Sequence, residues 1–157
     1  MRKPLLFAAL AAAALHAGVF DSGRKNVAFT VGAGSGYGSS YTIVGLSANY
    51  FALNGLSVGL GYRGWLGGDP SINEIDVPVT YYVPVRRNLR PYLGGFARHT
   101  FISGDYDDYE TYGGRAGISY VQGNGYFSLG WVQEWYSRDN GDDSSRGYPE
   151  ITAGMSF

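Results

Sequence analysis

The sequence predicts an all-β fold, an eight-stranded antiparallel up-and-down barrel, on the strength of three observations. Apolar and polar residues alternate with a period of two in eight consecutive segments, which is the pattern of strands with two unlike faces. Shorter and longer connections alternate between these segments. The composition, with 25 Gly, 14 Tyr, 8 Phe and only 16% charged residues, favours closely packed strands over helices.

The first residues predict a secretory signal peptide over 1–17, followed by a barrel domain over 18–157. Arg2 and Lys3 form a short positive region, and an Ala-rich apolar run over 5–15 comes next. This order of features is typical of a cleaved export signal, whose cleavage point stays open. The apolar run is too short to span a bilayer. We therefore expect an exported protein.

Eight predicted strands follow in order, each with an apolar and a polar phase. In the first, Val27 and Phe29 alternate with Ala28. The fifth is the least regular, so the orientation of the residues around His99 stays open. The segments span residues 27–34, 42–52, 56–65, 73–83, 91–101, 115–121, 126–136 and 151–157.

The connections predict that the two ends of the barrel differ. Transmembrane barrels have short turns at one end and longer loops at the other. Each predicted strand also approaches the roughly 9 to 11 residues that a tilted strand needs to cross a bilayer. Short turns are predicted at 53–55, 85–90 and 123–125, and mostly longer loops at 35–40, 67–71, 103–110 and 138–146.

The placement of charge predicts that the apolar phase faces lipid. A water-facing wall carries many Lys and Glu side chains, yet the chain after the signal has a single lysine, Lys25. A charge facing lipid at mid-membrane costs roughly 2 to 4 kcal/mol, and every charge within the predicted strands lies in the polar phase. These charges are Arg63, Glu74, Asp76, Arg98, Arg115, Glu134 and Glu150.

With these features, the chain resembles the small eight-stranded barrels of the Gram-negative outer membrane, such as the membrane domain of outer-membrane protein A and its relatives X and W. The resemblance implies an outer-membrane location, contact with outer-membrane lipid and lipopolysaccharide, and a monomer. It also implies that a final strand ending in Met155 and Phe157 is a signal for the barrel assembly machinery. Because the sequence stops there, we expect no further domain after the barrel.

Charge and composition limit the partners. Without Arg2 and Lys3, the 12 basic and 13 acidic residues become 10 and 13, a formal net charge of −3. No basic patch large enough for nucleic acid remains, and no cofactor is expected. The absence of cysteine excludes a disulfide scaffold and a thiolate metal site.

The inward charges predict a filled lumen rather than a water channel. An eight-stranded barrel is just wide enough for side chains to fill it, and unpaired charges inside it would be costly. We expect Arg63 to lie level with Glu74 and Asp76, Arg115 to lie near Glu134, and all seven charges to occupy the half nearer the longer loops. A gated pore or proton path through the same residues is the alternative.

Two of the longer loops are acidic. Asp105, Asp107, Asp108 and Glu110 lie in one, and Asp139, Asp142 and Asp143 lie in the other. Their spacing does not fit a calcium-loop motif, so we expect solvated surface charge and no metal site. Divalent ions that bridge these loops to lipopolysaccharide phosphates are the alternative.

The sequence predicts a non-catalytic protein with a role in envelope structure or surface contact. A lipid A-modifying enzyme centred on His99 is one alternative, since some barrels of this class use a His and a Ser near the wall. Phe101 occupies the place two residues later where a deacylase-like pattern has Ser. Ser103 is the nearest serine, and Asp105 could orient a base. A soluble periplasmic ligand-binding barrel is the other alternative.

Overall fold

The computed structural model describes residues 18–137 and 143–157, which form a closed antiparallel barrel of eight strands in chain order. The predicted fold class is therefore confirmed, while the predicted signal peptide lies outside the described residues. No helix in the described part of the chain is long and apolar enough to cross a membrane. The strands are β1 Lys25–Gly36, β2 Ser39–Leu53, β3 Leu56–Leu66, β4 Ile72–Tyr82, β5 Leu89–Ile102, β6 Tyr109–Gln122, β7 Gly125–Ser137 and β8 Asp143–Ser156.

The alternation of side chains along each strand determines which side chains face outward. On β4, Ile75 and Val77 are 43% and 48% exposed, whereas Glu74 and Asp76 beside them are buried. A pleated strand points successive side chains to opposite faces, and the other strands divide in the same way. On β5, His99 lies in the outward phase, which answers the question that the sequence left open.

The outer wall is a continuous apolar surface. Exposed apolar patches of this extent mark contact with lipid or another apolar partner. A soluble ligand-binding barrel is inconsistent with this wall, because it would place the apolar phase inside. Aromatic side chains lie on the wall near both strand ends, as interfacial belts do: Tyr50, Tyr81, Tyr120, Phe127 and Phe157 near the turns, and Tyr62, Phe101, Tyr112 and Trp135 near the loops.

Several connections differ from the predictions in length or in position. The first loop, predicted over 35–40, is a tight turn at Tyr37 and Gly38, whose φ angles are 52° and 76°. Positive φ at both central residues suits a two-residue hairpin turn, so β1 and β2 extend further than predicted. The β4–β5 connection, predicted over 85–90, spans 83–88; it begins two residues earlier because Pro84 has no N–H to continue the ladder.

The last strand closes the barrel against the first. β8 pairs with β1 from Asn26 opposite Ser156 to Gly32 opposite Glu150. Beyond that ladder, Lys25 and Phe157 exchange backbone hydrogen bonds of 3.0 and 2.9 Å. Met155 and Phe157 both point outward. Recognition of this strand by the assembly machinery stays a prediction.

Residues 18–24 close the turn end of the lumen, a role that the sequence did not predict. The Phe20 ring stacks on Tyr82 with centroids 4.0 Å apart. The carbonyl of Phe20 accepts a hydrogen bond from the Gly55 N–H at 2.7 Å, and the Val19 carbonyl accepts one from the Ser156 hydroxyl at 2.7 Å. We call this cluster the turn-end plug; it consists of Val19, Phe20, Ala28, Phe51, Tyr82, Tyr92 and Tyr126.

Glycine makes room for these interior rings. A Cβ on the inward-facing Gly130 would collide with the hydroxyl of Tyr92 and approach the Ala116 carbonyl to 2.8 Å. The Tyr92 ring is buried, and its hydroxyl lies 3.5 Å from a carboxylate oxygen of Glu150. Glycine at 130 is therefore a packing requirement, since a methyl group there would displace the ring.

Gly130→Ala should lower the free energy of unfolding by about 1 to 3 kcal/mol, the usual cost of overpacking a dense interior. Urea unfolding of the refolded barrel, followed by tryptophan fluorescence, measures the change. Gly114→Ala is the matched control, because the nearest atom to its added Cβ lies 3.7 Å away. Equal losses in the two variants would contradict this packing.

Candidate functional site: the charged lumen

The barrel interior holds all seven charges that the sequence placed in the polar phase. Alternation on β3 to β8 turns each of them inward. The Arg115 side chain keeps 12% of its surface accessible, and the other six residues are 5% exposed or less. Arg115 and Glu150 lie near the middle of β6 and β8, whereas the other five charges lie in the halves of their strands nearer the loops.

Arg98 lies at the centre of the charges in the loop half. Its guanidinium forms an ion pair with Glu134, lies 3.3 Å from Glu74, and donates a hydrogen bond of 3.3 Å to the Tyr148 hydroxyl. The guanidinium carbon also lies 4.2 Å from the centre of the Phe96 ring, a favourable position for a cation. A fully buried arginine is thus enclosed by two carboxylates, a phenol and a ring.

Arg146 is a fourth lumen arginine that the sequence analysis missed. It bonds to Glu134, approaches Glu74 to 3.5 Å, and lies 4.1 Å from the centre of the Trp65 ring. Arg146 belongs to the loop predicted over 138–146, but β8 begins at Asp143. Counting back from the inward-facing Glu150 in two steps of two residues would have identified Arg146 as inward-facing.

A second group of charges lies deeper in the barrel. Arg63 approaches Asp76 to 3.8 Å and Glu150 to 3.9 Å, and Arg115 pairs with Glu150. Tyr148 connects the two groups. Its hydroxyl accepts a hydrogen bond of 3.1 Å from Arg63 and donates one of 3.4 Å to Glu134.

The strand registers bear on two of the predicted contacts. Arg63 lies opposite Glu74 in the β3–β4 register, as predicted, and forms ion pairs with Asp76 and, across the lumen, with Glu150. Val132, rather than Glu134, lies opposite Arg115, and the ion pair of Arg115 is with Glu150. Side chains converge across the narrow lumen, so the register within a hairpin gives only some of the ion pairs.

The four arginines and four carboxylates balance in formal charge. Without Arg146, the seven predicted charges had an excess of one carboxylate. Balance is necessary here because a buried ion without a counter-charge costs several kcal/mol. The members of this lumen network are Arg63, Arg98, Arg115, Arg146, Glu74, Asp76, Glu134 and Glu150.

Several atoms of the lumen network rely on charge pairing rather than on hydrogen bonds. Neither oxygen of Glu74, nor Nε and Nη2 of Arg98, has a hydrogen-bond partner, although all of them are buried. They are stabilised by oppositely charged groups: the Glu74 carboxylate lies 3.3 Å from Arg98 and 3.5 Å from Arg146. Removal of one charge therefore leaves its partners uncompensated.

Three of the predicted acidic loop residues lie outside the lumen. Asp105, Asp107 and Asp108 are exposed in the β5–β6 loop, where an Asp108 carboxylate oxygen accepts a hydrogen bond of 2.9 Å from the Ile102 N–H. Asp139 and Asp142 lie outside the described residues. Asp143 was predicted in the loop, but its backbone begins β8 opposite Ser137. In the described ranges, no three potential metal ligands come together.

His99 lies on the outer wall with a partner that the sequence did not suggest. Its Nδ1 is 2.5 Å from a carboxylate oxygen of Glu110, which lies opposite it on β6. Glu110 thus takes the orienting position considered for Asp105. Ser103 accepts a hydrogen bond of 3.0 Å from the Ser71 N–H and stabilises the contact between two loops.

Glu134→Gln should lower the free energy of unfolding by about 3 kcal/mol or more, because Arg98 and Arg146 both lose an anionic partner inside the barrel. Denaturant unfolding of the refolded protein measures the loss. Asp107→Asn, on the exposed loop, should change stability by less than about 0.5 kcal/mol. A Glu134→Gln variant as stable as Asp107→Asn would contradict the buried pairing.

Known structures share this architecture at low sequence identity. No protein-family model matches the chain, and no curated protein matches it in sequence. The N-terminal β-barrel domain of Pseudomonas aeruginosa OprF superposes with a TM-score of 0.64 at 16% identity, over 87% of this chain and 98% of that one. Neisserial surface protein A gives 0.62 at 18% identity, over 85% and 95%.

A third match points to the same class. The Yersinia pestis outer-membrane protein Ail gives a TM-score of 0.51 at 15% identity, over 87% of this chain and 100% of that one. Sequence identities this low support a comparison of folds, but they do not indicate that the chain has the activities of these proteins. The chain has the eight-stranded fold of the small outer-membrane barrels.

Proposed function

We propose that the protein is a closed, non-catalytic barrel of the Gram-negative outer membrane that serves envelope structure or surface contact through its loops. The observation that carries this proposal is a lumen filled at two levels. The lumen network occupies the loop half and the middle, and the turn-end plug occupies the other end. With the lumen filled and the wall apolar, the loops and rims are the surfaces left for specific contacts.

A gated pore through the same residues is less well supported. Opening would require charges such as Arg98 and Glu134 to separate in a water-poor interior, at the cost of an unpaired buried ion. Phe20 and Tyr82 would have to move as well, because they close the far end. Because the lumen network and the turn-end plug each close the lumen, a continuous water path in the resting state is unfavourable.

The proposed partners follow from the outer surface. Outer-membrane lipid would contact the apolar wall, and lipopolysaccharide would surround the loop end. The assembly machinery would contact β8, whose Met155 and Phe157 point outward. A barrel without an exposed strand edge needs no second copy to complete its ladder, which supports a monomer.

The purified protein in planar bilayers should show no steady single-channel conductance. Phe20→Ala should also stay silent, because the lumen network still fills the loop half when the turn-end plug is weakened. Slower migration of the boiled protein than of the unboiled protein on a gel would show that each sample contains the folded barrel. Long-lived conductance steps from the folded wild type would contradict the closed lumen.

A second candidate function rests on the pair of His99 and Glu110. A carboxylate that holds Nδ1 of a histidine leaves Nε2 free to take a proton, as in hydrolase triads. The pair faces outward near the loop-end aromatic belt, at the depth where ester bonds of lipid A would lie. Phe101, rather than a nucleophilic serine, packs against His99, at 4.5 Å between ring centres.

Lipid A from cells with and without the protein should give the same mass spectrum, because Phe101 lies beside His99 where a deacylase-like pattern has a serine. His99→Ala and Glu110→Gln are the informative variants. A missing acyl chain in the wild type that reappears in both variants would establish the enzymatic candidate and contradict the non-catalytic proposal. A change in the lipid A mass spectrum that persists in both variants would show that His99 and Glu110 do not cause it.

A further inference from the structure

The two ends of the barrel carry opposite charge. Outside the lumen network, every Lys and Arg of residues 18–137 and 143–157 lies at the turn end. The acidic side chains lie at the loop end, with Asp21 as the exception. The turn-end cations are Arg24, Lys25, Arg86, Arg87 and Arg90, and the loop-end acids of the described chain are Asp69, Asp105, Asp107, Asp108 and Glu110.

The turn-end cations have no carboxylate partner in the part of the chain that the structure describes. Every arginine of the lumen network forms an ion pair, yet none of these five cations lies within 4.0 Å of a carboxylate. Arg24 donates to the Ser156 carbonyl at 3.2 Å, a contact that leaves its charge uncompensated. Lys25, Arg86 and Arg87 are exposed. Their positive charge is therefore available to an external anion.

The cations are spread around the rim rather than gathered in a pocket. Lys25 begins β1, whereas Arg86 and Arg87 lie in the connection between β4 and β5. In a closed ring of eight strands, β1 and β5 lie on opposite sides. A small soluble anion would contact only one side of this rim. A layer of lipid headgroups surrounds the barrel and contacts both sides at once.

The β4–β5 connection has the chemistry of a membrane-interface segment. Val83 and Val85 are 37% and 60% exposed, directly before Arg86 and Arg87. Tyr81, at the end of β4, belongs to the turn-end aromatic belt. Apolar side chains beside arginines, next to an aromatic belt, insert at the boundary between acyl chains and headgroups. This combination favours a lipid surface over a soluble anionic partner.

We propose that the turn end binds the phosphate groups of anionic phospholipids in the membrane leaflet that surrounds it. The cations attract the headgroups, and the valines fix the depth of the β4–β5 connection. The acidic loop end disfavours the same lipids, so the charge difference also favours one orientation of the barrel in an asymmetric membrane. This inference rests on the proposed membrane location.

Native mass spectrometry of the full chain, released from detergent with phosphatidylglycerol or phosphatidylcholine, tests the proposal. The wild type should retain phosphatidylglycerol preferentially, because each basic residue near an anionic headgroup layer strengthens association by about fivefold. Arg86→Gln with Arg87→Gln should lower this preference by about fivefold or more. Arg86→Lys with Arg87→Lys is the matched control that keeps the charge and should keep the preference.

Equal retention of the two lipids by the wild type would overturn the proposal, as would an unchanged preference in the glutamine pair. Asp105→Asn with Asp107→Asn alters the loop end and should leave the preference intact; a lost preference there would also overturn it. If the glutamine pair fails to fold, Lys25→Gln on the opposite side should show a smaller loss. A heat-dependent gel shift identifies folded barrels, so failure of the membrane fold is distinguished from failure of lipid selection.

Discussion

The constraint on which the structure depends is the burial of four arginines in a narrow tube with an apolar exterior. Each needs a carboxylate, because a single buried ion without a partner costs several kcal/mol. Arg98 shows how the barrel meets this need, since strands on different sides of the lumen supply Glu74 and Glu134. The same constraint determines which face of each strand points inward, because a register shift of one residue would point these charges toward the lipid.

The filled lumen limits where function can reside. Tyr148 and Tyr92 connect the charged layers to aromatic packing, and Phe20 packs on Tyr82 at the turn end; both features support the proposal of a closed lumen. What remains is the outer surface, which carries a chemical asymmetry. Acidic loops mark one end and unpaired cations the other. A barrel of this kind can act through its orientation and depth in the lipid bilayer and through the partners that its loops contact.

Much of the fold was predictable because each strand has two chemically different faces. The period-2 pattern identified eight strands and the charges that face inward. Ion-pair partners were only partly predictable. The predicted hairpin brought Arg63 level with Asp76, its ion-pair partner, but it could not show that Arg115 pairs with Glu150 across the lumen. Arg146 was missed because acidic and Gly-rich residues before it resembled a loop. The role of Phe20 depends on a contact with Tyr82 that is remote in sequence.

The central claim is that buried ion pairs between distant strands hold the lumen closed, and a double-mutant cycle between Arg98 and Glu134 tests it most directly. The free energy of unfolding would be measured for the wild type, Arg98→Met, Glu134→Gln and the double variant. The account predicts a coupling energy of about 2 kcal/mol or more, within the range for residues that share a buried network. Additive losses, with a coupling below about 0.5 kcal/mol, would contradict it.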